Sequence, residues 1–500
     1  MLANIVAKWL KNRISAIEFA KNHALDLQDE TLKNRLQSQK DTFFGRKYDF
    51  ANIRNFAQFQ SAVPVHSYED IAPYIFRMMQ GEQNVLVAEK VQFYAKSSGT
   101  TQAKSKYIPV TETCLGKMHY ASGKDVYGIY HHNNPQSQLY KGKHLSLGGN
   151  LSPNPFGEGY VGDLSAIMLE NLPFWADLKR VPDKKTALLA VAWEQKIDEI
   201  LRQVVHEDVY STVGVPSWLL ILLHKLLAEK KVSSIHDIWK NYELCLHGGM
   251  NFAPYKKQFE QISEPKRLKF YESYNASEGF FALQSENDAD DMLLMTHYGT
   301  FYEFMPLSEL GQKFPRTLLL DQVQTGVDYA LIITTTGGLW RYLIGDTVRF
   351  THLNPYKIQV SGRTQQFINA FGEELMVDNA EKALQKTSEK TQAIVREFTA
   401  APIYIEAGKN GGHEWFIEFV QEPPCMDTFT EILDQELQNL NSDYQAKRSY
   451  NRALSMPKVI AVPVNTFYKW LKSKGKLGGQ HKVPRLCNDR RYADELKQWI

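Results

Sequence analysis

Apolar residues near the amino terminus recur every three or four positions, the spacing of a helix with one buried face. One such run consists of Ile5, Leu10, Ile14 and Ile17, and a second consists of Leu25, Leu27, Leu32 and Leu36. We therefore predict amphipathic helices over residues 1–45. Residues 185–230 are also predicted to be mostly helical, with a break near Gly214–Pro216.

The pattern changes beyond about Tyr242, where short apolar runs alternate with turn residues. Runs rich in β-branched and aromatic residues predict strands at 244–246, 268–274, 293–296, 329–336, 339–350 and 357–360. Further along, we predict helices near 378–390 and 427–440 and strands near 402–406, 414–420 and 458–464. Glycine and proline predict a loop over 145–163. The chain is thus predicted to be an α/β protein with a large domain over residues 1–362 and a small α+β domain over 363–500.

The composition is that of a globular protein, with 43% hydrophobic and 23% charged residues among 500. Its 58 basic and 56 acidic residues give a net charge of +2, so no global field attracts nucleic acid or an anionic membrane. The basic segment 469–491 has little aromatic interleaving, and we expect no nucleic-acid partner.

The scattered cysteines favour a reducing compartment; they are Cys114, Cys245, Cys425 and Cys487. The most apolar stretch, Trp218–Leu223, is far shorter than the roughly 20 residues that span a bilayer. We expect a cytoplasmic protein with no membrane partner.

A hydroxyl-rich stretch follows the predicted helices. Ser97, Ser98, Thr100 and Thr101 surround Gly99, and Lys106 follows closely. Hydroxyls and loop amides are donors suited to phosphate oxygens, glycine permits close approach of the backbone, and lysine supplies charge. The stretch is not a Walker A loop, because no Gly-x-x-x-x-Gly-Lys-Ser/Thr is present. An ordinary polar turn is the alternative.

Two further segments carry candidate chemistry. Tyr274, Ser277 and Glu278 place an aromatic ring, a hydroxyl and a carboxylate at the end of a predicted strand. This set suits a purine, a phosphate oxygen and Mg²⁺ bound through Glu278; the alternative is a surface turn with a solvated glutamate. Asp346, after Gly345, interrupts an apolar strand pair. It could accept hydrogen bonds from both ribose hydroxyls, or simply cap a turn.

In order and spacing, these segments resemble motifs of the adenylate-forming superfamily, and most closely those of the auxin-responsive Gretchen Hagen family of acyl acid amido synthetases. The matching segments are Ser97–Thr101 with Lys106, Tyr274–Glu278 and Gly338–Thr347. A fourth, Gly479–Arg485, resembles the family's asparagine-glutamine-x-lysine-x-proline-arginine signature. Trp340 and Leu343 replace the usual tyrosine and arginine of the third motif, and the resemblance is closer to bacterial members.

The resemblance implies a large adenylate-forming domain of mixed β-sheets and helices with a small, mobile carboxy-terminal lid. It implies a ligase that uses ATP and Mg²⁺ to convert a carboxylic acid into an acyl-adenylate and pyrophosphate, and then transfers the acyl group to an amine, expected to be an amino acid. We expect a monomer.

The same resemblance assigns roles to individual residues. Lys482, Glu278 and Ser98 are the predicted catalytic residues, with Lys482 at the attacking carboxylate and α-phosphate and Glu278 at Mg²⁺. Asp346 would hold the ribose. The other predicted nucleotide contacts are Ser97, Ser98, Gly99, Thr100, Thr101, Lys106, Gly248, Gly249, Tyr274, Asn275, Ala276, Ser277 and Arg363. The predicted acid-binding residues are Val213, Val215 and Trp218, for which helix packing is the alternative.

Two other functions compete with this one. An acid–CoA ligase performs the same adenylation with a thiol as acceptor, and the fourth motif favours the amine. A non-catalytic nucleotide-binding protein is disfavoured because Ser98, Glu278, Asp346 and Lys482 occur together.

Overall fold

The structure is a computed structural model. It describes residues 2–98, 105–188, 193–249, 252–364, 367–373, 375–405, 410–448, 454–473 and 483–500. The chain divides into two compact units. Unit 1 comprises residues 1–97, 106–249 and 256–364, and unit 2 comprises 98–105, 250–255 and 365–500.

The helices through α13 lie mostly in unit 1. They are α1 Leu2–Asn22, α2 Ala24–Gln39, α3 Phe43–Lys47, α4 Phe56–Ala62, α5 Tyr68–Met79, α6 Glu112–Cys114, α7 Tyr120–Asn133, α8 Leu164–Glu170, α9 Phe174–Asp177, α10 Lys184–Ala187, α11 Trp193–Val204, α12 Pro216–Lys230 and α13 Ala253–Gln261. The helices predicted over residues 1–45 are confirmed. The buried face predicted for α2 is wrong at Leu25, which is 47% exposed. Gln28 is buried instead, because its amide donates to the carbonyls of Thr296 and Thr300.

Two sheets hold the strands through β15. These are β1 Phe93–Ser98, β2 Ser105–Val110, β3 Lys143–Ser146, β4 Leu151–Pro153, β5 Tyr160–Gly162, β6 Arg180–Val181, β7 Val209–Gly214, β8 Leu244–Gly248, β9 Lys269–Ala276, β10 Gly279–Leu283, β11 Met292–Leu294, β12 Phe301–Pro306, β13 Asp328–Thr334, β14 Tyr342–Leu353 and β15 Tyr356–Arg363. The large sheet has the order β12-β13-β14-β15-β11-β10-β9-β8-β7-β3-β6, and the smaller one β2-β1-β5-β4.

The large sheet has a parallel half and an antiparallel half. Strands β6, β3, β7, β8 and β9 are parallel, so their carboxyl ends share one edge. On the other side of β9, each strand pairs antiparallel with its neighbour, in the order β9, β10, β11, β15, β14, β13 and β12. Ligands of such sheets bind outside the carboxyl ends of the parallel strands, and β9 is where the two halves meet.

A buried ion pair fixes the approach to β14. Arg341, in the left-handed region at φ +44°, donates to the carboxylate of Glu303 at 2.8–3.0 Å. Its guanidinium also reaches the carbonyls of Gln60 and Val63 and the hydroxyl of Thr317. The strand predicted from residue 339 therefore begins only at Tyr342, because the preceding residues form this turn.

Three other sequence predictions need correction. The segment predicted to be mostly helical over 185–230 does contain α11 and α12, with the break at Gly214–Pro216 as predicted, but it also contains β7, which lies in the parallel half of the large sheet. The loop predicted over 145–163 contains β4 and β5, since its glycines leave room for close strand pairing: a Cβ on Gly162 would lie 2.2 Å from the carbonyl oxygen of Asn150. The strand predicted near 402–406 is the end of a strand that begins at Ile394.

Unit 2 is an α+β arrangement with its own core. Its strands are β16 Phe367–Ile368, β17 Leu375–Met376, β18 Ile394–Ile403, β19 Gly412–Gln421 and β20 Lys458–Val462, and its helices are α14 Val377–Thr391, α15 Met426–Leu440, α16 Ser442–Arg448, α17 Thr466–Ser473 and α18 Arg491–Leu496. Strand β19 lies between β18 and β20. The predicted fold class, α/β with a large and a small part, is confirmed. In the chain as described, no helix combines the length and apolar character needed to cross a bilayer.

Candidate active site

Three residues from distant parts of the sequence form a polar cluster in unit 1. The hydroxyl of Tyr274, at the end of β9, donates to Oδ2 of Asp346 at 2.8 Å. Nε of Arg363, the last residue of β15, donates to Oδ1 of the same carboxylate at 2.7 Å. Asp346 is 7% exposed. The structure thus brings together residues of the second and third motifs that the sequence separates widely.

A bulge in β14 aims Asp346 at Tyr274. Ala330 of β13 pairs with Thr347, but Ile332 pairs with Leu343, so β14 holds two extra residues between these pairs. Gly345 lies in this bulge at φ +98°, a conformation that glycine adopts without steric cost. Bulges redirect side chains beside active sites. The predicted interruption at Gly345 is therefore a bulge within a continuous strand.

Glu278 lies in the tight turn between β9 and β10. Ala276 and Gly279 form the last pair of this hairpin, which leaves Ser277 and Glu278 as the turn residues. Glu278 is only 7% exposed, so it is not the solvated glutamate of the alternative interpretation. Burial raises the pKa of Tyr274 well above its usual range, and Asp346 and Glu278 raise it further, so this phenol remains a donor.

Tyr68 connects this region to the residues that follow the hydroxyl-rich stretch. Its helix, α5, starts at a capping box of Ser67 and Asp70. The Tyr68 hydroxyl accepts a hydrogen bond from the backbone N–H of Tyr107 at 2.8 Å, and Nζ of Lys106 lies 5.7 Å from its ring centroid. Burial raises the pKa of Tyr68 to about 12, with Glu278 contributing. Lys106 therefore lies over the ring of a tyrosine whose pKa Glu278 also raises.

The predicted adenine side lies at the carboxyl end of β8. A Cβ on Gly248 would lie 2.4 Å from the carbonyl oxygen of Ser273 and 2.8 Å from Oδ1 of Asn275, so β8 and β9 approach too closely for any other residue. Gly249 turns the chain at φ +79°, and Asn275 is exposed. The Tyr274 ring packs against Phe281, with centroids 5.0 Å apart, and its contact with a purine stays a prediction.

The predicted acid-binding residues follow β7 along the same edge. Val213 lies near the end of that strand, Val215 is the N-cap of α12, and Trp218 is in its first turn. All three are half-buried, whereas Leu219 and Leu220 immediately after them are fully buried. Partial exposure in an apolar segment is compatible with the lining of a pocket.

Several predicted site residues lie outside the described residues: Gly99, Thr100, Thr101 and Lys482. Ser97 and Ser98 are the last two residues of β1. Among the described residues, no group of three or more His, Cys, Asp or Glu side chains could hold a metal ion.

The sequence interpretation missed Tyr68 and Tyr342 as neighbours of the site. Tyr342 opens β14 within the third motif and is fully buried. Residue 66 pairs with it, since the N–H of Leu343 donates to the carbonyl of His66. The Ser-x-x-Asp capping box at Ser67 was the available signal for the start of α5, but nothing local indicates that α5 begins beside β14.

Family models cover most of the chain. The GH3 family N-terminal domain matches residues 13–268, the GH3 family central domain 293–363, and the GH3 family C-terminal domain 378–491.

Curated relatives match over nearly their full lengths. "Putative indole-3-acetic acid-amido synthetase GH3.9" of Arabidopsis thaliana is 22% identical over 94% of this chain and 93% of its own. "Jasmonoyl--L-amino acid synthetase JAR4" of Nicotiana attenuata is 22% identical over 94% of this chain and 92% of its own.

Two solved structures share the fold. The acyl acid amido synthetase AtGH3.15 in complex with 2,4-DB superposes with a TM-score of 0.63 at 18% identity, covering 98% of this chain and 96% of that one. A 2-hydroxyisobutyryl-CoA ligase in complex with 2-HIB-AMP and CoA gives 0.60 at 15% identity, covering 95% and 93%.

Proposed function

Because this chain belongs to the GH3 family, a branch of the adenylate-forming superfamily, we propose that it is an acyl acid amido synthetase. It converts a carboxylic acid and ATP into an acyl-adenylate and pyrophosphate, and an amine then displaces AMP to form an amide. The curated relatives that match over nearly their whole length are named as amido synthetases.

One observation carries the assignment of the nucleotide site. The Asp346 carboxylate is held by Tyr274 and Arg363 at 2.7–2.8 Å, beside the carboxyl edge of the parallel strands. A carboxylate fixed in this way is pre-oriented, because one donor on each oxygen restricts its rotation and leaves further lone pairs for the two ribose hydroxyls. Arg363 also places positive charge within reach of a phosphate.

The adenylation step brings two anions together, so its barrier is largely electrostatic. Hydroxyls and amides of residues 97–101, together with Lys106, bind the β- and γ-phosphates. Lys482 neutralises the charge that the attacking carboxylate and the α-phosphate share in the transition state. Each of these roles follows from the motif that carries the residue. Val213, Val215 and Trp218 line the pocket for the acid.

Glu278 is the residue of this chain that holds Mg²⁺. Bound there with the triphosphate, Mg²⁺ supplies charge neutralisation at the pyrophosphate leaving group. The position of Glu278 supports this role, because this buried carboxylate lies in the turn that follows the strand carrying Tyr274.

The acceptor distinguishes this proposal from a CoA ligase. The shared fold does not decide between them, because the 2-hydroxyisobutyryl-CoA ligase superposes about as well as the amido synthetase. The curated relatives favour an amine. An amine attacks the acyl carbonyl directly, so no serine or cysteine nucleophile is required. We propose an amino acid as the amine, a monomer in the cytoplasm, and no nucleic-acid or membrane partner.

The test is a pyrophosphate-release screen over carboxylic acids with ATP and Mg²⁺, repeated with amino acids and with CoA. The proposal expects pyrophosphate release with particular acids, and an amide in the mass spectrum when an amino acid is supplied. A thioester formed with CoA and no amide with any amino acid would assign the chain to the CoA ligases.

A further inference from the structure

Tyr342 carries a buried hydroxyl that the roles above leave unused. The residue is 0% exposed, and its phenolic oxygen has no hydrogen-bond partner in the described part of the chain. Other buried tyrosines of the same cluster are satisfied: the Tyr274 hydroxyl donates to Asp346, and that of Tyr302 donates to the carbonyl of Met295. Burying a hydroxyl without a hydrogen-bond partner costs free energy. The unpaired hydroxyl therefore points to a ligand that supplies the partner when it binds.

The position of Tyr342 places this hydroxyl on the nucleotide side of the sheet. Tyr342 and Ile344 belong to the same buried cluster as Tyr68 and Tyr274. Leu343, between them, packs on the opposite face against a separate cluster. Because side chains alternate along a strand, Tyr342 faces the side on which Tyr274 meets Asp346.

The charged groups near the phenol indicate which kind of ligand it contacts. Burial raises the pKa of Tyr342 well above its usual range. Glu278, Tyr68 and Glu69 raise this pKa further, whereas the positive charge of Arg363 lowers it. The phenol is therefore a neutral O–H donor at physiological pH. It interacts electrostatically with the predicted metal ligand Glu278 and with the cation of Arg363, the two charged groups that the proposed function assigns to Mg²⁺ and to the nucleotide.

We propose that the hydroxyl of Tyr342 donates a hydrogen bond to a phosphoryl oxygen of ATP, which makes it a further substrate-binding residue for the adenylation step. The proposal rests on the proposed function, since it requires ATP at this site. A neutral donor suits the position, because it can bind a phosphate oxygen beside Glu278 without competing for the metal.

The test is Tyr342→Phe, which removes only the hydroxyl. Calorimetry with ATP·Mg²⁺ should show an affinity about 10- to 100-fold weaker than that of the wild type, the loss typical of one hydrogen bond to a charged group. Inhibition by adenosine, which lacks phosphate, should be unchanged. The Tm of the free protein should stay the same or rise, because the hydroxyl has no partner to lose.

Tyr302→Phe is the matched control. It removes a buried hydroxyl that has a partner, Met295 at 3.2 Å, so the Tm should fall while ATP affinity stays unchanged. If Tyr342→Phe behaved like this control, the hydroxyl would be structural and the proposal would be overturned. An equal loss for adenosine would overturn the assignment to phosphate. A wild-type protein that fails to bind ATP·Mg²⁺ would refute the proposed function itself, and this proposal with it.

Discussion

The hydroxyl of Tyr274 donates a 2.8 Å hydrogen bond to Oδ2 of Asp346 across a sequence separation of 72 residues. The bond joins β9 to the bulge of β14, although β10, β11 and β15 lie between these strands in the sheet order. Four strand spacings of about 4.8 Å separate β9 from β14 along the sheet, so the bond requires the antiparallel half to curl back towards β9, and the bulge at Gly345 then sets the direction of the carboxylate. The second and third motifs of the proposed nucleotide site are thus connected through one pair of side chains.

Replacing Asp346 by alanine should weaken ATP binding by ~1–3 kcal/mol, because the ribose hydroxyls lose a charged acceptor. Calorimetry with ATP·Mg²⁺ measures this loss, and Tm is recorded alongside. Asp328→Ala is the control, since it removes the carboxylate of another Asp–Arg pair on the same sheet, with Arg349; this more exposed pair lies outside the bulge, two positions beyond the Ala330–Thr347 pair that bounds it. An Asp346→Ala protein with wild-type affinity would refute the ribose role.

Much of this arrangement could be predicted from sequence, and the reasons are local. The strands around Asp346 and the turn at Glu278 follow from apolar runs and turn residues, and the motifs themselves are identified by their resemblance to those of the family. The bulge could not be predicted, because its position depends on the register with β13. The burial of Glu278 and the proximity of Tyr68 likewise depend on long-range packing. Gln28 is buried and Leu25 is exposed for the same reason, since backbone carbonyls of a distant segment accept hydrogen bonds from the Gln28 amide.

Glu303→Gln should destabilise the protein by ~3–5 kcal/mol, because it leaves the buried Arg341 guanidinium without its counter-charge. Both side chains are at most 3% exposed. Denaturant unfolding measures the loss. The KM for ATP of the folded protein should be unchanged, since Arg341 is fully engaged by the fold although it lies in the third motif. Asp328→Ala, which breaks a more exposed pair, should cost no more than ~1 kcal/mol. A larger effect on KM than on stability would contradict this structural role.

Glu272 should make stability fall as pH rises from about 4.5 to 7. Burial raises its pKa to about 7, and Asp290 contributes. Between these two pKa values the folded state holds a proton that the unfolded state has released. The protonated carboxyl therefore contributes its full stabilisation below the unfolded pKa, and this contribution is lost as the pH rises through the folded pKa. Glu272→Gln should therefore raise Tm relative to wild type at pH 8 and have little effect at pH 4.5. Exposed Glu229→Gln on α12 should show no such trend, and a difference independent of pH would contradict the assignment.

Lys482→Ala should slow pyrophosphate release strongly yet leave the conversion of synthetic acyl-adenylate to amide intact. A lysine that neutralises charge shared by carboxylate and phosphate acts mainly in the transition state, so kcat should fall by ~10²–10³ with a smaller rise in KM for ATP. Lys469→Ala, in the same basic segment, should retain both half-reactions. If Lys482→Ala is equally impaired from the preformed adenylate, its role is not confined to adenylation.

The central claim is that a carboxylate oxygen attacks the α-phosphate of ATP. It is tested by supplying the best acid from the pyrophosphate-release screen with ¹⁸O in both carboxylate oxygens, together with ATP, Mg²⁺ and an amino acid. Mass spectrometry should find one ¹⁸O in AMP and one in the amide, because the attacking oxygen leaves with AMP. Unlabelled AMP, or ADP and phosphate as the products, would contradict the acyl-adenylate.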